Sequence, residues 1–168
     1  MNWQRLIPIG ILLASLGSLS FALTSQIVFD KDPCILCLYQ RVPFVVTALL
    51  AVLALRLNKS SSLIPLVVIL CGLIYLIGAG IAVYHVGVEQ HWWISGCSGA
   101  LADSVTLDQL RASLMQKAEK ACDDIDWTLF GISMATYNVF FSSGLGLGTV
   151  VAGMQLSKTR KRELVNDG

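Results

Sequence analysis

Polar and apolar positions in this chain do not alternate; they fall into long blocks. Leu6–Phe29 and Ser60–Tyr84 carry no charged side chain, Trp127–Ser157 is also charge-free, and Leu38–Leu55 is broken only by Arg41 near its start. Crossing the hydrocarbon of a bilayer takes roughly 20 apolar residues, and each run meets or approaches that length. The pattern predicts an all-α membrane protein, a four-transmembrane-helix bundle. Its helices are expected at about 6–29, 38–56, 62–85 and 127–153, in a single domain covering 1–168. The first run is longer than a signal-peptide core of about 7–15 residues, so a retained span is expected. The polar segments are 30–37 and 86–126, plus the short Asn58–Ser62 connection, which makes the second and third helices antiparallel neighbours.

The longer polar segment has a pattern of its own. Thr106 and Gln109 read as a capping box, and Leu107, Leu110, Leu114 and Ala118 recur at helical spacing. This predicts a short amphipathic helix lying on the membrane surface. Small residues at Gly10, Ala14, Gly17, Gly144 and Gly148 suit close helix packing in lipid.

Composition agrees with the block pattern: 55% of the 168 residues are hydrophobic and 14% are charged, too apolar for a soluble domain. The net charge of +1 hides an asymmetry. Arg5, Arg56, Lys59, Lys158, Arg160, Lys161 and Arg162 fall on one face of a four-span chain, and Lys and Arg favour the cytoplasmic side. The opposite face holds 30–37 and 86–126. In the second of these, seven acids (Glu89, Asp103, Asp108, Glu119, Asp123, Asp124, Asp126) against three bases (Arg111, Lys117, Lys120) leave a net of −4. Both termini are therefore expected in the cytoplasm. The basic cluster is the tail after the last span, so no nucleic-acid partner is indicated.

Four of the five cysteines lie in the two segments opposite the basic face: Cys34 and Cys37, then Cys97 and Cys122. Disulfides persist outside the cytoplasm. Asp32-Pro33-Cys34-Ile35-Leu36-Cys37 precedes the second span, and Pro favours a first helical turn, so these cysteines are expected to open a helix. A helix N-terminus lowers a thiol pKa. Arg41, seven residues after Cys34 and four after Cys37, falls about 20° and 40° around the helix from them and roughly 6 Å deeper than Cys37. There it would favour the thiolate and donate hydrogen bonds, or simply snorkel. His85 ends the third span at similar depth. His91, Trp92 and Trp93 read as an interfacial group, and Cys71, mid-span, as a packing residue. The pair Cys97 and Cys122 reads either as a staple or as half of a relay.

Cys34-Ile-Leu-Cys-Leu-Tyr-Gln-Arg41, Tyr84-His-Val-Gly-Val-Glu-Gln-His-Trp-Trp93, Cys97, and Cys122 through Asn138 resemble, in order and over nearly the whole chain, the DsbB family of disulfide-bond formation proteins. The resemblance implies an inner-membrane enzyme that reoxidises a periplasmic thioredoxin-like oxidase of the DsbA kind and reduces a membrane quinone, ubiquinone or menaquinone. It implies that the oxidase attacks Cys97 of a Cys97–Cys122 disulfide and that Cys122 then attacks Cys34. Cys37 would meet the quinone ring, with Arg41 and His85 beside it. Placing His85 there rather than His91 rests on the Tyr-His-x-Gly-Val-Glu context. The resemblance also implies that Trp93–Ser98 docks in the oxidase's groove. No metal is implied.

Three other readings compete. A vitamin K epoxide reductase relative also has four helices and two cysteine pairs, but its Cys-x-x-Cys lies late in the bundle. A zinc or copper protein would want two short-spaced pairs, whereas Cys97 and Cys122 are 25 positions apart. A stapled scaffold would leave Cys34 and Cys37 inert.

Overall fold

The computed structural model describes residues 2–28, 32–58, 61–93, 95–97, 120–125 and 128–166. Four long helices dominate: α1 (Trp3–Val28), α2 (Ile35–Arg56), α3 (Leu63–Glu89) and α4 (Met134–Asn166). All four contain segments long and apolar enough to cross a membrane. The protein is a four-helix membrane bundle. The expected amphipathic helix over 106–118 lies outside the described residues.

The helix ends differ from expectation in informative ways. α2 begins at Ile35, with Cys34 as its N-cap, and Pro33 sits just outside. α3 continues to Glu89, past the point where the polar residues begin, because that acid finds buried partners. α4 begins at Met134 and not near 127. A small antiparallel hairpin, β1 (Thr128–Leu129) and β2 (Ile132–Ser133), takes up the difference. Its turn residues Phe130 and Gly131 have φ of 52° and 77°, the left-handed pair that suits a two-residue hairpin loop.

α3 and α4 form the most extensive contact, α2 packs on α3 and on α1, and α1 meets α4 only sparsely. The bundle is therefore open along the α1–α4 seam. The tight α3–α4 pair rests on glycines other than those expected. A Cβ at Gly72 would meet Val150 and the Gly146 carbonyl, one at Gly146 would meet Leu76, and one at Gly153 would meet Ile69. Around Gly10, Gly17, Gly144 and Gly148 there is open space. Small residues permit close approach only on the face that meets another helix, and these four lie on other faces.

A polar knot ties three helices in the apolar interior. Ser15 Oγ lies 2.6 Å from Tyr75 Oη and 2.9 Å from Thr47 Oγ1, and the Tyr75 hydroxyl donates to the Ile11 carbonyl at 3.3 Å. All three polar side chains are fully or nearly fully buried. Removing the hydroxyl in Tyr75→Phe is expected to destabilise the bundle by about 1 kcal/mol, the scale of hydrogen bonds between membrane helices. Reversible unfolding in mixed detergent micelles measures it, and an unchanged midpoint would mean the knot holds nothing. At the other end, the Arg5 guanidinium donates to the carbonyls of Leu55 and Leu57. It satisfies the open C-terminus of α2 in addition to any orienting effect of its charge.

Candidate active site

The site is built where α2 starts and α3 ends. Cys34 is extended (φ −69°, ψ 167°), and its sulfur accepts from the Cys37 backbone N–H at 3.3 Å. The Cys-x-x-Cys spacing thus acts as a helix cap, which puts the Cys34 sulfur at the positive end of α2. Cys37 stands one turn on, with its sulfur 2.9 Å from that of Cys34. From α3, His85 Nε2 approaches the Cys34 sulfur to 3.6 Å.

The Cys34 thiol is held well below the ordinary thiol range. The hydrogen bond from the Cys37 thiol is the largest cause, and His85 adds to it, against the opposing effect of burial. In the reduced protein, alkylation of Cys34 is expected to persist at pH values well below a free cysteine's pKa of about 8.5. In His85→Ala the reactivity should shift back upward. Peptide mass spectrometry after brief iodoacetamide pulses across a pH series checks this. An ordinary midpoint in the unsubstituted protein would sink the arrangement.

Cys97 and Cys122 form a disulfide, with Cα atoms 5.4 Å apart, and the Cys122 backbone N–H donates to the Cys97 carbonyl at 2.8 Å. This disulfide does not stand apart from the first pair. Cys34, Leu36, Val88 and Cys122 make one buried cluster, with Cys37 and Cys97 packed against it. Residues 97 and 122 are remote from Cys34 in sequence, yet all four sulfur-bearing side chains meet at one end of the bundle.

Behind the sulfurs runs a chain of buried polar groups. His85 Nδ1 lies 2.8 Å from the Gln40 amide nitrogen, Asn138 Nδ2 donates to Gln40 Oε1 at 2.6 Å, and Ser142 Oγ donates to Asn138 Oδ1 at 2.9 Å. On the other side Glu89 Oε1 is 3.8 Å from His85 Nε2, and Glu89 Oε2 accepts from Ser133 Oγ at 2.6 Å. Among the described residues no buried side-chain nitrogen or oxygen lacks a partner. Such a network stays ordered because any broken link would leave a polar group unsatisfied in low dielectric. Gln40, Glu89, Ser133 and Asn138 all lie in the stretches that resemble the family, yet their spacing gives them no role. The available signal was a polar side chain inside or beside an apolar run.

A cavity of about 760 Å³ opens along the α1–α4 seam and reaches Cys34, Cys37, Arg41 and His85. Leu19, Phe21, Phe44 and Phe141 are among its apolar lining. Arg41 is half-buried there, its guanidinium donating to Gln26 Oε1 of α1 at 3.0 Å. One end thus carries a cation, thiols and an imidazole, and the walls are aromatic and aliphatic. That donor set fits an amphipathic ring with polar carbonyls and an apolar tail. A second groove of about 690 Å³ between α2 and α3, walled by residues such as Val46 and Ile77, has no thiol and no charge along it.

His91 is exposed, with φ of 57°, and its Nε2 lies 3.9 Å from Asp123 Oδ2. It is not among the residues lining the cavity that His85 reaches. Trp93 stacks on Tyr84 with ring centroids 5.6 Å apart and donates from Nε1 to the Tyr84 carbonyl at 3.3 Å. A Cβ at Gly87 would overlap its indole, so the glycine in Tyr-His-x-Gly-Val-Glu makes room for the ring.

The sequence model of the family described as Disulfide bond formation protein DsbB matches residues 4–152. The chain belongs to the DsbB family. Proteins named Disulfide bond formation protein B are similar to it. One, from Xanthomonas campestris pv. campestris (strain 8004), is 31% identical over 156 residues, covering 89% of this chain and 90% of its own. Another, from Xylella fastidiosa (strain Temecula1 / ATCC 700964), is 30% identical over 149 residues, covering 86% of each. A third, from Methylobacillus flagellatus, is 28% identical over 143 residues. No solved structure matches the chain. Membership in the DsbB family makes this a disulfide-forming oxidoreductase of the membrane.

Proposed function

We propose that this protein reoxidises a periplasmic thioredoxin-like oxidase of the DsbA kind, through Cys97–Cys122 and Cys34–Cys37 in turn, at the expense of membrane quinone. The protein would lie in the bacterial inner membrane with both termini cytoplasmic and both cysteine pairs periplasmic. The observation that carries this reading is the single buried cluster that joins the two pairs at the mouth of the cavity.

The thiol steps balance as exchanges. A thiolate of the reduced oxidase attacks Cys97, forms a mixed disulfide and releases Cys122 as thiolate. Cys122 attacks Cys34 of a Cys34–Cys37 disulfide and releases Cys37. The oxidase's second thiol then closes its own disulfide and releases Cys97, which attacks Cys122 and frees Cys34. The net change is an oxidised oxidase and a reduced Cys34–Cys37 pair. Rates follow thiolate fraction and access, and the packed cluster provides access within the fold.

Thiolate stabilisation at Cys34 favours the reduced pair and so makes its disulfide a strong oxidant, by the logic that holds for low-pKa dithiols generally. Restoring that disulfide needs a strong acceptor. Quinone, ubiquinone or menaquinone, supplies a two-electron, two-proton acceptor when bound. Arg41, His85 and Cys37 would hold its polar ring end while the aromatic walls of the cavity take the apolar portion. His85, linked to Glu89 and Gln40, is placed to hold or pass a proton beside the Cys34 sulfur.

The test is quinone reduction followed by absorbance, with purified protein and a reduced thioredoxin-like oxidase as donor. Sustained turnover with ubiquinone or menaquinone is expected. Folded protein with both disulfides intact that turns over neither quinone would overturn the reading.

A further inference from the structure

Three soft ligand atoms converge at the mouth of the cavity. Cys34 Sγ, Cys37 Sγ and an imidazole nitrogen of His85 all lie within 4.8 Å of one another. A tetrahedral zinc ion, with Zn–S of about 2.3 Å and Zn–N of about 2.0–2.1 Å, sets ligand edges near 3.5 Å between S and N and near 3.8 Å between two S atoms. The Cys34 sulfur already stands 3.6 Å from His85 Nε2. The two sulfurs, 2.9 Å apart, need only open by less than about 1 Å to match.

We propose that the reduced Cys34–Cys37 pair and His85 form a redox-gated zinc site whose occupation arrests the enzyme. The gate is chemical: a disulfide offers no thiolate, so only the dithiol state binds. On binding, the two cysteines give up whatever thiol protons they hold, no electrons move, and the two thiolates balance the ion's charge. The fourth position faces the cavity, where water can fill it.

The surrounding groups can adapt to this role. To ligate through Nε2, the imidazole must carry its proton on Nδ1 and donate it outward, as metal-bound histidines do. Half-turns of the Gln40 and Asn138 amides would present Gln40 Oε1 to Nδ1. They would also reverse the Gln40–Asn138–Ser142 chain with a donor still facing an acceptor at each contact. Such amide orientations are interchangeable by rotation alone. Glu89, 3.8 Å from Nε2, adds negative potential beside the cation.

Regulation by zinc rests on the reading that this pair cycles between dithiol and disulfide, so binding and turnover are measured separately. The full-length Cys97→Ser/Cys122→Ser protein, in detergent, isolates the first pair. Zn²⁺ and Co²⁺ are titrated into its reduced and oxidised forms, with cobalt read by thiolate charge-transfer absorption. One ion per reduced chain, none per oxidised chain, and at least tenfold weaker binding in His85→Ala are expected. Cys71→Ser should not change the affinity. Unchanged affinity in His85→Ala, or equal binding by the oxidised form, overturns the site. If the double variant does not fold, protection of Cys34 and Cys37 from alkylation by Zn²⁺ in reduced unsubstituted protein decides the same point, and absence of protection overturns it. Added Zn²⁺ should also arrest quinone reduction reversibly by chelator. Binding without arrest overturns the regulatory half, while a protein that binds zinc but never turns over quinone counts against the electron path and leaves the site standing.

Discussion

Cys34→Ser is expected to lower steady-state oxidation of a thioredoxin-like partner by at least about 10³-fold, a barrier increase of about 4 kcal/mol, while leaving the bundle folded. Folding should survive because Cys34 is the N-cap of α2, and serine is among the best residues at that position. Its hydroxyl can accept the Cys37 backbone N–H that the sulfur now accepts. The loss is therefore chemical. Without Cys34 there is no second disulfide for Cys122 to attack, and the relay ends after the first pair. The Cys97–Cys122 disulfide can still be reduced once, so Cys34→Ser should oxidise at most one equivalent of partner and then stop. Cys97→Ser should oxidise none. Quenched-flow alkylation, counting oxidised partner per chain, separates these outcomes. Undiminished turnover in Cys34→Ser would mean that Cys97–Cys122 is reoxidised without Cys34 and that the two pairs do not form a relay.

The spans were readable because a charge-free run of about 20 residues has few other uses. The redox centre was readable for a related reason. Cys34, Cys37 and Arg41 lie on one helix, so their spacing alone puts them on one face. What local spacing does not carry is which residues of other helices complete the site. Glu89 read as one more acid of an external loop, yet it is buried, joined to Ser133 and near His85. Its place depends on α4 arriving alongside α3. Gln40 and Asn138 are 98 positions apart and 2.6 Å in contact, a pairing that no periodicity reveals. The hairpin at 128–133 was hidden because its residues are as apolar as a span, and only the Phe130-Gly131 turn interrupts them. The glycines show the same limit, since Gly144 and Gly148 look like packing residues in sequence while Gly146 between them makes the contact. A stripe of small residues says that close approach is permitted, but the partner helix decides where it happens.

Arg41→Ala is expected to raise the KM for quinone by about 10- to 100-fold, with a smaller fall in kcat. Arg41 lies beside the thiols in the cavity and donates to Gln26 of α1, so it ties α2 to α1 at the polar end of the cavity. A hydrogen bond to a charged group is worth about 1.5–3 kcal/mol, and each 1.4 kcal/mol is tenfold in binding, which sets the range. Two effects of the substitution can be separated. If Arg41 mainly orients the ring end, Arg41→Lys should recover little, because an ammonium lacks the planar fork that can hold Gln26 and a carbonyl together. If Arg41 mainly supplies positive charge near the sulfurs, Arg41→Lys should recover most of the activity. Gln26→Ala supplies the complementary measurement. It removes the tether from α1 and keeps the charge, so a defect of similar kind but smaller size is expected. Steady-state kinetics with a quinone of short tail, at saturating reduced partner, measures all three. A KM unchanged in Arg41→Ala would place the quinone ring outside this cavity. The guanidinium would then be a strut between α1 and α2, and the sulfurs would have to meet their electron acceptor at another face of the bundle.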